Sequence, residues 1–165
     1  MSDAPAPADR PLGTTANLIL RTLAMPADTN PNGDVFGGWI RSQMDIAGGI
    51  LAKETTGSRV VTVAVHSFSF LRPVSVGDVV CCYGRVLRIG NTSITIQLEV
   101  WVKKVLPETE KVWPRFKVTE AIFTYCSIDH EGKKQAIKHR QSRNGQRAQA
   151  STSASNVRRM RSAEA

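Results

Sequence analysis

Two hydrophobic periods divide the middle of the chain. From Gly38 to about Thr55, apolar residues recur at the three- and four-residue spacing of a helix with one buried face, at positions Ile40, Met44, Ala47 and Leu51. After Ser58 the period changes to two and remains two over the following strand-like runs. The pattern therefore predicts one long helix followed by a series of strands.

Alternating apolar and polar residues predict five strands. One run precedes the helix, from Ala16 to Met25, and four follow it, at about 61–70, 79–89, 94–103 and 116–128. Turn-forming residues separate the later runs, and successive strands joined by short turns pair as an antiparallel meander. We therefore expect an α+β fold in which a curved antiparallel sheet of about five strands wraps around one long central helix.

Both ends of the chain contain few large apolar residues. The first 14 residues combine prolines with alanines, and the residues after 140 are rich in Ser, Gln and Arg. Such segments bury too little apolar surface to offset the conformational entropy lost on ordering. We therefore expect disordered tails at 1–14 and 141–165 on either side of one folded domain at 15–140.

The net charge of +8 belongs to the end of the chain. Residues 133–165 contain nine Lys or Arg residues and one Glu, so the first 132 residues are neutral overall. A basic segment can attract phosphates, but this one contains no aromatic residue for stacking on bases. The composition therefore does not favour nucleic acid as a partner.

The sequence also lacks the signatures of several other protein classes. It has no apolar run of about 18 residues, no secretion signal, and no nucleophile elbow, zinc-protease or phosphate-loop motif. Its three cysteines and three histidines show no metal-ligand spacing. We therefore expect a cytoplasmic protein with no metal site and no membrane association.

The densest polar chemistry surrounds the predicted helix start, in residues 25–45. Gly37 and Gly38 open the helix, where unpaired backbone N–H groups can polarise a carbonyl oxygen, although close packing against a sheet explains the pair equally well. Asp45 lies two turns later at the border of the apolar stripe. It is either a functional carboxylate or a surface acid paired with Arg41, and the spacing alone favours the ion pair.

The segment MPADTNPNGDVFGGWIRSQMD, followed by VVTVAVHSFSFLRPVSVGDVV and ITIQLEVWVKK, resembles the hotdog-fold acyl-CoA thioesterases, in particular the bacterial YciA-like hydrolases. The resemblance covers about residues 18–128 and implies the hotdog fold. It also implies hydrolysis of acyl-CoA thioesters to fatty or other carboxylic acids and coenzyme A, with no separate cofactor. On this chain the catalytic carboxylate falls on Asp45, and the carbonyl-polarising amide falls on Gly37 or Gly38.

The distance between these two groups bears on assembly. Gly38 and Asp45 are seven residues apart, which is about 10 Å along a helix axis and too far for both to touch one carbonyl carbon. We therefore expect Asp45 of one protomer to face Gly38 of its partner, in agreement with the dimer-interface sites that the resemblance implies. Long edge strands also favour a homodimer, which the resemblance extends to a hexamer (a trimer of dimers) or a tetramer.

Six further residues are candidates for the site. Asn32 and Asp34 precede the helix and could orient water or the thioester, although turn and capping roles explain them better. The phosphates of coenzyme A need basic partners near strand ends, for which the candidates are Arg59, Arg72 and Arg88, each of which taken singly is better explained as surface charge. His66 is a further candidate because the resemblance implies an acidic residue at its position.

Two chemical routes and one other function stay open at the level of sequence. Asp45 either takes a proton from the attacking water or attacks the thioester to form a mixed anhydride. Hotdog dehydratases are disfavoured because the chain has no histidine before position 66. The alternative function is a non-catalytic acyl-CoA-binding sensor whose basic tail binds nucleic acid.

Overall fold

The computed structural model describes residues 16–104 and 115–138. The described elements, in chain order, are β1 (Asn17–Leu23), α1 (Gly37–Thr56), β2 (Arg59–Phe70), β3 (Val79–Ile89), β4 (Ser93–Lys103) and β5 (Arg115–Ile128), with one short 3-10 turn at Pro26–Asp28. Every predicted strand and the one predicted helix are confirmed to within two residues at each end. The two predicted disordered tails, 1–14 and 141–165, lie outside the described residues.

Helix α1 begins after a turn-rich loop and ends at a glycine. Its buried face carries Ile40, Met44 and Ala47, as the helical period predicts. At the other end Gly57 adopts φ 67°, and its N–H donates to the Lys53 carbonyl at 2.8 Å, which is a left-handed helix C-cap. None of the helices in the described ranges is long and apolar enough to span a membrane.

The five strands form one antiparallel sheet in the order β1-β3-β4-β5-β2. The predicted meander is correct for β3, β4 and β5 but wrong for β2, which pairs with β5 instead of β3. Residues 71–78 carry the chain across the end of the sheet. They are held there by backbone bonds from Val35 N–H to the Val74 carbonyl, 2.9 Å, and from Ala24 N–H to the Asp78 carbonyl, 3.0 Å. These bonds give partners to backbone N–H and C=O groups that a segment crossing outside the sheet would otherwise leave unpaired.

The core lies between α1 and the concave face of the sheet. Alternate residues of β4, at positions 94, 96, 98, 100 and 102, are fully buried, as are Met44 of the helix and Phe123 and Tyr125 of β5. Trp39 packs partly buried against this core near the helix start, as expected of an anchor. The helix is therefore held along its length, which fixes the position of its polar residues relative to β2 and β5.

Strand β2 forms one edge of the sheet and has a hydrogen-bonding partner on one side only. Large apolar side chains are exposed on this strand and on the helix: Val61, Val63, Ile46 and Ile50. We call these four residues the apolar edge. Exposed apolar residues on an unpaired strand are a known hazard for unwanted association unless they are covered.

Candidate functional site

Asp45 is held by two hydroxyl groups from different strands. Its Oδ1 accepts a hydrogen bond from Thr62 Oγ1 on β2 at 2.5 Å and another from the Tyr125 hydroxyl on β5 at 3.3 Å. The Tyr125 hydroxyl also donates to the Asp45 main-chain carbonyl at 3.1 Å. Asp45 is therefore tied to the sheet through both its side chain and its backbone.

The ion pair with Arg41 that the helical spacing favours is not formed. The carboxylate of Asp45 instead accepts the two hydroxyl groups, and the guanidinium carbon of Arg41 lies 5.8 Å from the centre of the Phe68 ring. Spacing on one helix cannot reveal this outcome, because both competing partners come from other elements. The predicted pairing of Asp45 with Arg41 is therefore wrong.

The other carboxylate oxygen of Asp45 is available. Within residues 16–104 and 115–138, Oδ2 accepts no hydrogen bond. Asp45 lines an open groove of about 260 Å³, together with Gly38, Arg41, Ser42, Thr62, Val65 and Phe123. The groove is large enough for part of a substrate, and one wall carries a carboxylate while another carries the helix start.

The two glycines at the helix start have different roles. A Cβ on Gly37 would lie 2.8 Å from Cζ of Phe70, so Gly37 allows close packing against β2. A Cβ on Gly38 would meet no atom within 4 Å, and Gly38 lines the groove that contains Asp45. Close packing thus explains Gly37, and open access to the helix N-terminus distinguishes Gly38.

The hydroxyl of Tyr125 remains a donor over the physiological pH range. Burial raises the pKa of Tyr125 well above its usual value, and the nearby negative charge and hydrogen bond of Asp45 raise that pKa further. Ionising this hydroxyl would place a second negative charge beside the carboxylate in a buried setting. The O–H group therefore stays protonated and continues to donate to Asp45.

Gly48 makes room for this contact in the middle of the helix. A Cβ on Gly48 would overlap the Tyr125 hydroxyl and would lie 2.8 Å from its Cζ. Neither Tyr125 nor Thr62 is among the site residues predicted from the sequence. Tyr125 had a signal, a hydroxyl at an inward-facing position of β5, whereas nothing in the local sequence distinguishes Thr62.

Asn32 and Asp34 lie in the loop before the helix and do not line the groove of this protomer. Both side chains are exposed, and their backbone N–H groups donate to Oδ1 of Asn30 at 2.9 and 3.1 Å. Asp34 also forms an isolated β-bridge with Ser75 of the crossing segment. The observed geometry is that of turn residues, and a role for their side chains in the site stays a prediction.

The predicted coenzyme A residues are spread over the protomer. Arg59 begins β2 and Arg72 lies two residues beyond its other end, and the strand between them spans roughly 36 Å at 3.3 Å per residue. Arg88 is exposed near the end of β3, three strands away from β2, and His66 is exposed on β2 itself. One protomer therefore does not bring the three arginines together, and their role in binding stays a prediction.

Two of these arginines do line clefts. Arg59 borders a cleft of about 530 Å³ with three other basic residues, Lys53, His130 and Lys138. Its guanidinium donates weakly to the His130 carbonyl at 3.4 Å. Arg72 borders a mainly apolar cleft of about 290 Å³ that also contains Gly37, and its guanidinium carbon lies 5.4 Å from the Phe116 ring centre.

The three cysteines are buried in the sheet and unpaired. Burial raises the pKa of Cys82 to about 12, with a further contribution from the adjacent Cys81, so this thiol is not a thiolate at neutral pH. Among the described residues, no group of three or more His, Cys, Asp or Glu side chains is placed to hold a metal ion. The cysteines are therefore small core residues, as their alternating pattern predicts.

Comparison with known proteins identifies the family. The sequence profile of the thioesterase superfamily matches residues 32–107. The chain is 61% identical to the acyl-CoA thioester hydrolase YciA of Escherichia coli over 121 residues, which is 73% of this chain and 90% of that protein. It is 59% identical to an acyl-CoA thioester hydrolase of Haemophilus influenzae over 120 residues, covering 73% of this chain and 77% of the relative.

Solved structures agree with the sequence relatives. A hexameric thioesterase from Yersinia pestis superposes with a TM-score of 0.69 at 56% identity, covering 75% of this chain and 97% of that one. A hexameric broad-specificity acyl-coenzyme A thioesterase, crystallised as an aspartate-to-alanine mutant, gives a TM-score of 0.72 at 53% identity over 84% of this chain and 98% of that one. With its helix wrapped by five antiparallel strands, the chain belongs to the hotdog-fold thioesterase superfamily, in the family that includes YciA.

Proposed function

We propose that this protein hydrolyses acyl-CoA thioesters to free carboxylic acids and coenzyme A, with Asp45 as the catalytic carboxylate. The observation that carries the proposal is the available Oδ2 of Asp45, which shares an open groove with the unobstructed helix start at Gly38. The family relationship supports the same chemistry, because relatives with more than half of their residues identical are acyl-CoA thioester hydrolases.

The complete site is formed by two protomers. Asp45 and Gly38 of one chain are about 10 Å apart along the helix, so one thioester carbonyl cannot touch both. The apolar edge lies on the same helix and strand as Asp45 and Thr62, and pairing of two such edges would bury it. In the resulting homodimer, Asp45 of one protomer faces the Gly38 amide of its partner. The hexameric state of several relatives supports further assembly into a trimer of dimers.

Each group has a defined chemical role in this site. The Gly38 amide of the partner, at the positive end of its helix, stabilises the negative charge that develops on the thioester oxygen. Asp45 either takes a proton from water as the water attacks the carbonyl carbon, or attacks that carbon itself and forms a mixed anhydride that water then hydrolyses. In both routes coenzyme A leaves as its thiolate.

The clefts at the two ends of β2 suggest how coenzyme A is held across neighbouring protomers. The apolar cleft beside Gly37 and Arg72 suits the acyl or pantetheine chain, and the basic cleft beside Arg59 suits the phosphates. Arg88, His66, Asn32 and Asp34 remain candidate contacts from neighbouring protomers. The reaction uses no metal or separate cofactor, and the three free cysteines suit a cytoplasmic setting.

Thiol release from a panel of acyl-CoAs with short, long and aromatic acyl groups tests the proposal. We expect the wild type to turn over at least one substrate and Asp45→Asn to lose about a hundredfold or more in kcat. Glu54→Gln, an exposed carboxylate on the same helix, is the matched control and keeps its activity. Dialysis against EDTA leaves the wild-type rate unchanged. A wild type that binds coenzyme A but hydrolyses no substrate would favour the sensor function instead.

Mixed oligomers test the composite site. One chain carries Asp45→Ala and a differently tagged chain carries Gly38→Leu, which fills the open space at the helix start without weakening the helix. If each site combines Asp45 and Gly38 from different protomers, a mixed dimer contains one intact site of two and regains about half of the wild-type rate. If both groups act within one chain, the mixed dimer stays inactive.

A further inference from the structure

The two hydroxyl donors of Asp45 converge on the same oxygen atom. Thr62 Oγ1 and the Tyr125 hydroxyl both donate to Oδ1, from two strands that are neighbours in the sheet. Thr62 and Tyr125 are themselves a cross-strand pair. A carboxylate held at one oxygen by two fixed donors has a defined orientation, and here Oδ2 accepts no hydrogen bond from the described residues.

We propose that Tyr125 and Thr62 are positioning residues that orient Asp45 for the reaction, and that Gly48 is the glycine that gives the Tyr125 hydroxyl access to it. This inference rests on the proposed function, since it assigns roles to residues that act through Asp45. Neither hydroxyl needs to touch the substrate.

The hydrogen bond from Thr62 to Asp45 does more than provide a buried polar group with a partner. Thr62 is exposed in the single protomer, so packing within the protomer does not force its hydroxyl to find a protein partner, yet that hydroxyl makes the short bond of 2.5 Å to the carboxylate. The single hydrogen of the Tyr125 hydroxyl is shared between the Asp45 main-chain carbonyl at 3.1 Å and the carboxylate Oδ1 at 3.3 Å, although the carbonyl alone would satisfy it. Folding alone requires neither of these bonds to the side chain.

The choice of donors suits a reactive carboxylate. Hydroxyl groups donate hydrogen bonds to the Asp45 carboxylate and add no charge beside it. An arginine or lysine at the same position would add a positive charge. Arg41, the basic residue one helical turn away, is turned aside onto the Phe68 ring. The two hydroxyl groups therefore restrict the orientation of the Asp45 carboxylate without forming an ion pair with it.

Gly48 accommodates this arrangement at a cost to the helix. Glycine weakens a helix interior, and any side chain at this position would displace a tyrosine that is 1% exposed. The other mid-helix glycine, Gly49, has no atom within 4 Å of the position of a Cβ. The close approach is therefore specific to the residue above Tyr125.

Steady-state kinetics with Tyr125→Phe and the matched control Tyr83→Phe tests the inference. Tyr83 is the other of the two tyrosines of the chain and lies on β3, beside Arg21 and Trp101. We expect Tyr125→Phe to lower kcat about tenfold with little change in KM, the effect of losing one useful hydrogen bond. Tyr83→Phe leaves both unchanged.

Thr62 provides a second test that does not disturb the core. Thr62→Val removes the hydroxyl and is expected to lower kcat with little change in KM, whereas Thr62→Ser keeps the donor and restores kcat. Wild-type kinetics for Tyr125→Phe and Thr62→Val, in an assay where Asp45→Asn is inactive, would overturn the positioning role and leave the proposed function intact. An inactive wild type, or an active Asp45→Asn, would instead reject the proposed function.

Discussion

At the scale of single residues, the contact between Gly48 and Tyr125 links the core to the candidate site. Tyr125 is buried, and its hydroxyl reaches Asp45 because the helix carries no side chain at position 48. Because the space above Gly48 is filled by Tyr125, adding a single methyl group at position 48 would disturb the packing of this part of the core. Packing and the orientation of the carboxylate are therefore coupled at this point.

We expect Gly48→Ala to lower the free energy of unfolding by about 1–3 kcal/mol, the usual cost of overpacking a core. The penalty becomes smaller in a Tyr125→Phe background, because the overlapping hydroxyl is gone and only the contacts at 2.8 Å to Cζ and 3.0 Å to Leu98 remain. Urea unfolding of the four proteins of this double-mutant cycle measures the difference. Gly49→Ala, with no atom within 4 Å, is the matched control for stability, and an equal loss in both glycine variants would contradict the assignment.

At the scale of elements, β2 has two functions in this fold. One side of the strand pairs with β5, and Thr62 from the strand holds Asp45. The other side is the unpaired edge that carries Val61 and Val63. In the proposed site, which combines two protomers, the edge strand determines whether the site is assembled.

We expect Val63→Lys to prevent dimerisation, because a lysine on an edge strand opposes pairing with a second strand. Val63 is 55% exposed and occupies a β-bulge. The matched control is Leu87→Lys, since Leu87 is 45% exposed and occupies a bulge on β3, which is not an edge strand. Sedimentation velocity and thiol release should show smaller, inactive particles for Val63→Lys only. A Val63→Lys protein that stays dimeric would show that another surface joins the protomers.

At the scale of the whole molecule, charge and fold are separated along the chain. All of the net charge of +8 arises from residues 133–165, and the residues that build the sheet and the site belong to a neutral segment. The backbone at the start of this basic region is part of the fold, because the N–H of Ile137 donates to the Asn91 carbonyl at 2.7 Å. Most of the basic residues follow this anchor.

A chain that ends at Arg140 should keep the kcat and KM of the full chain. The deletion removes five arginines and one glutamate, which is half of the net charge, and none of the residues assigned to the site. Fluorescence anisotropy with a short DNA duplex should show weak binding by the full chain that falls steeply as salt rises, and weaker binding by the shortened chain. DNA affinity that does not respond to salt would contradict this electrostatic account, and a loss of turnover would place the tail at the site.

The amino-acid sequence by itself determined the helix and the strands. Its two hydrophobic periods identified the one long helix and all five strands, because periodicity is a local property that a single segment reports. The positions of Asp45 and of the glycines at the helix start marked them as candidates, but the catalytic role of Asp45 came from the family resemblance and stays a prediction. The different roles of Gly37 and Gly38 could not be predicted from the sequence, since they depend on where Phe70 lies.

Only the tertiary structure decided the strand order and the partners of Asp45. Pairing of β2 with β5 depends on where residues 71–78 cross the sheet, which the alternating pattern does not record. Thr62 and Tyr125 are 17 and 80 residues from Asp45 in the chain, so their hydrogen bonds exist only once the helix packs on the sheet. The local sequence favoured Arg41 because it reports neighbours along one helix, and the packed sheet offered two better-placed donors.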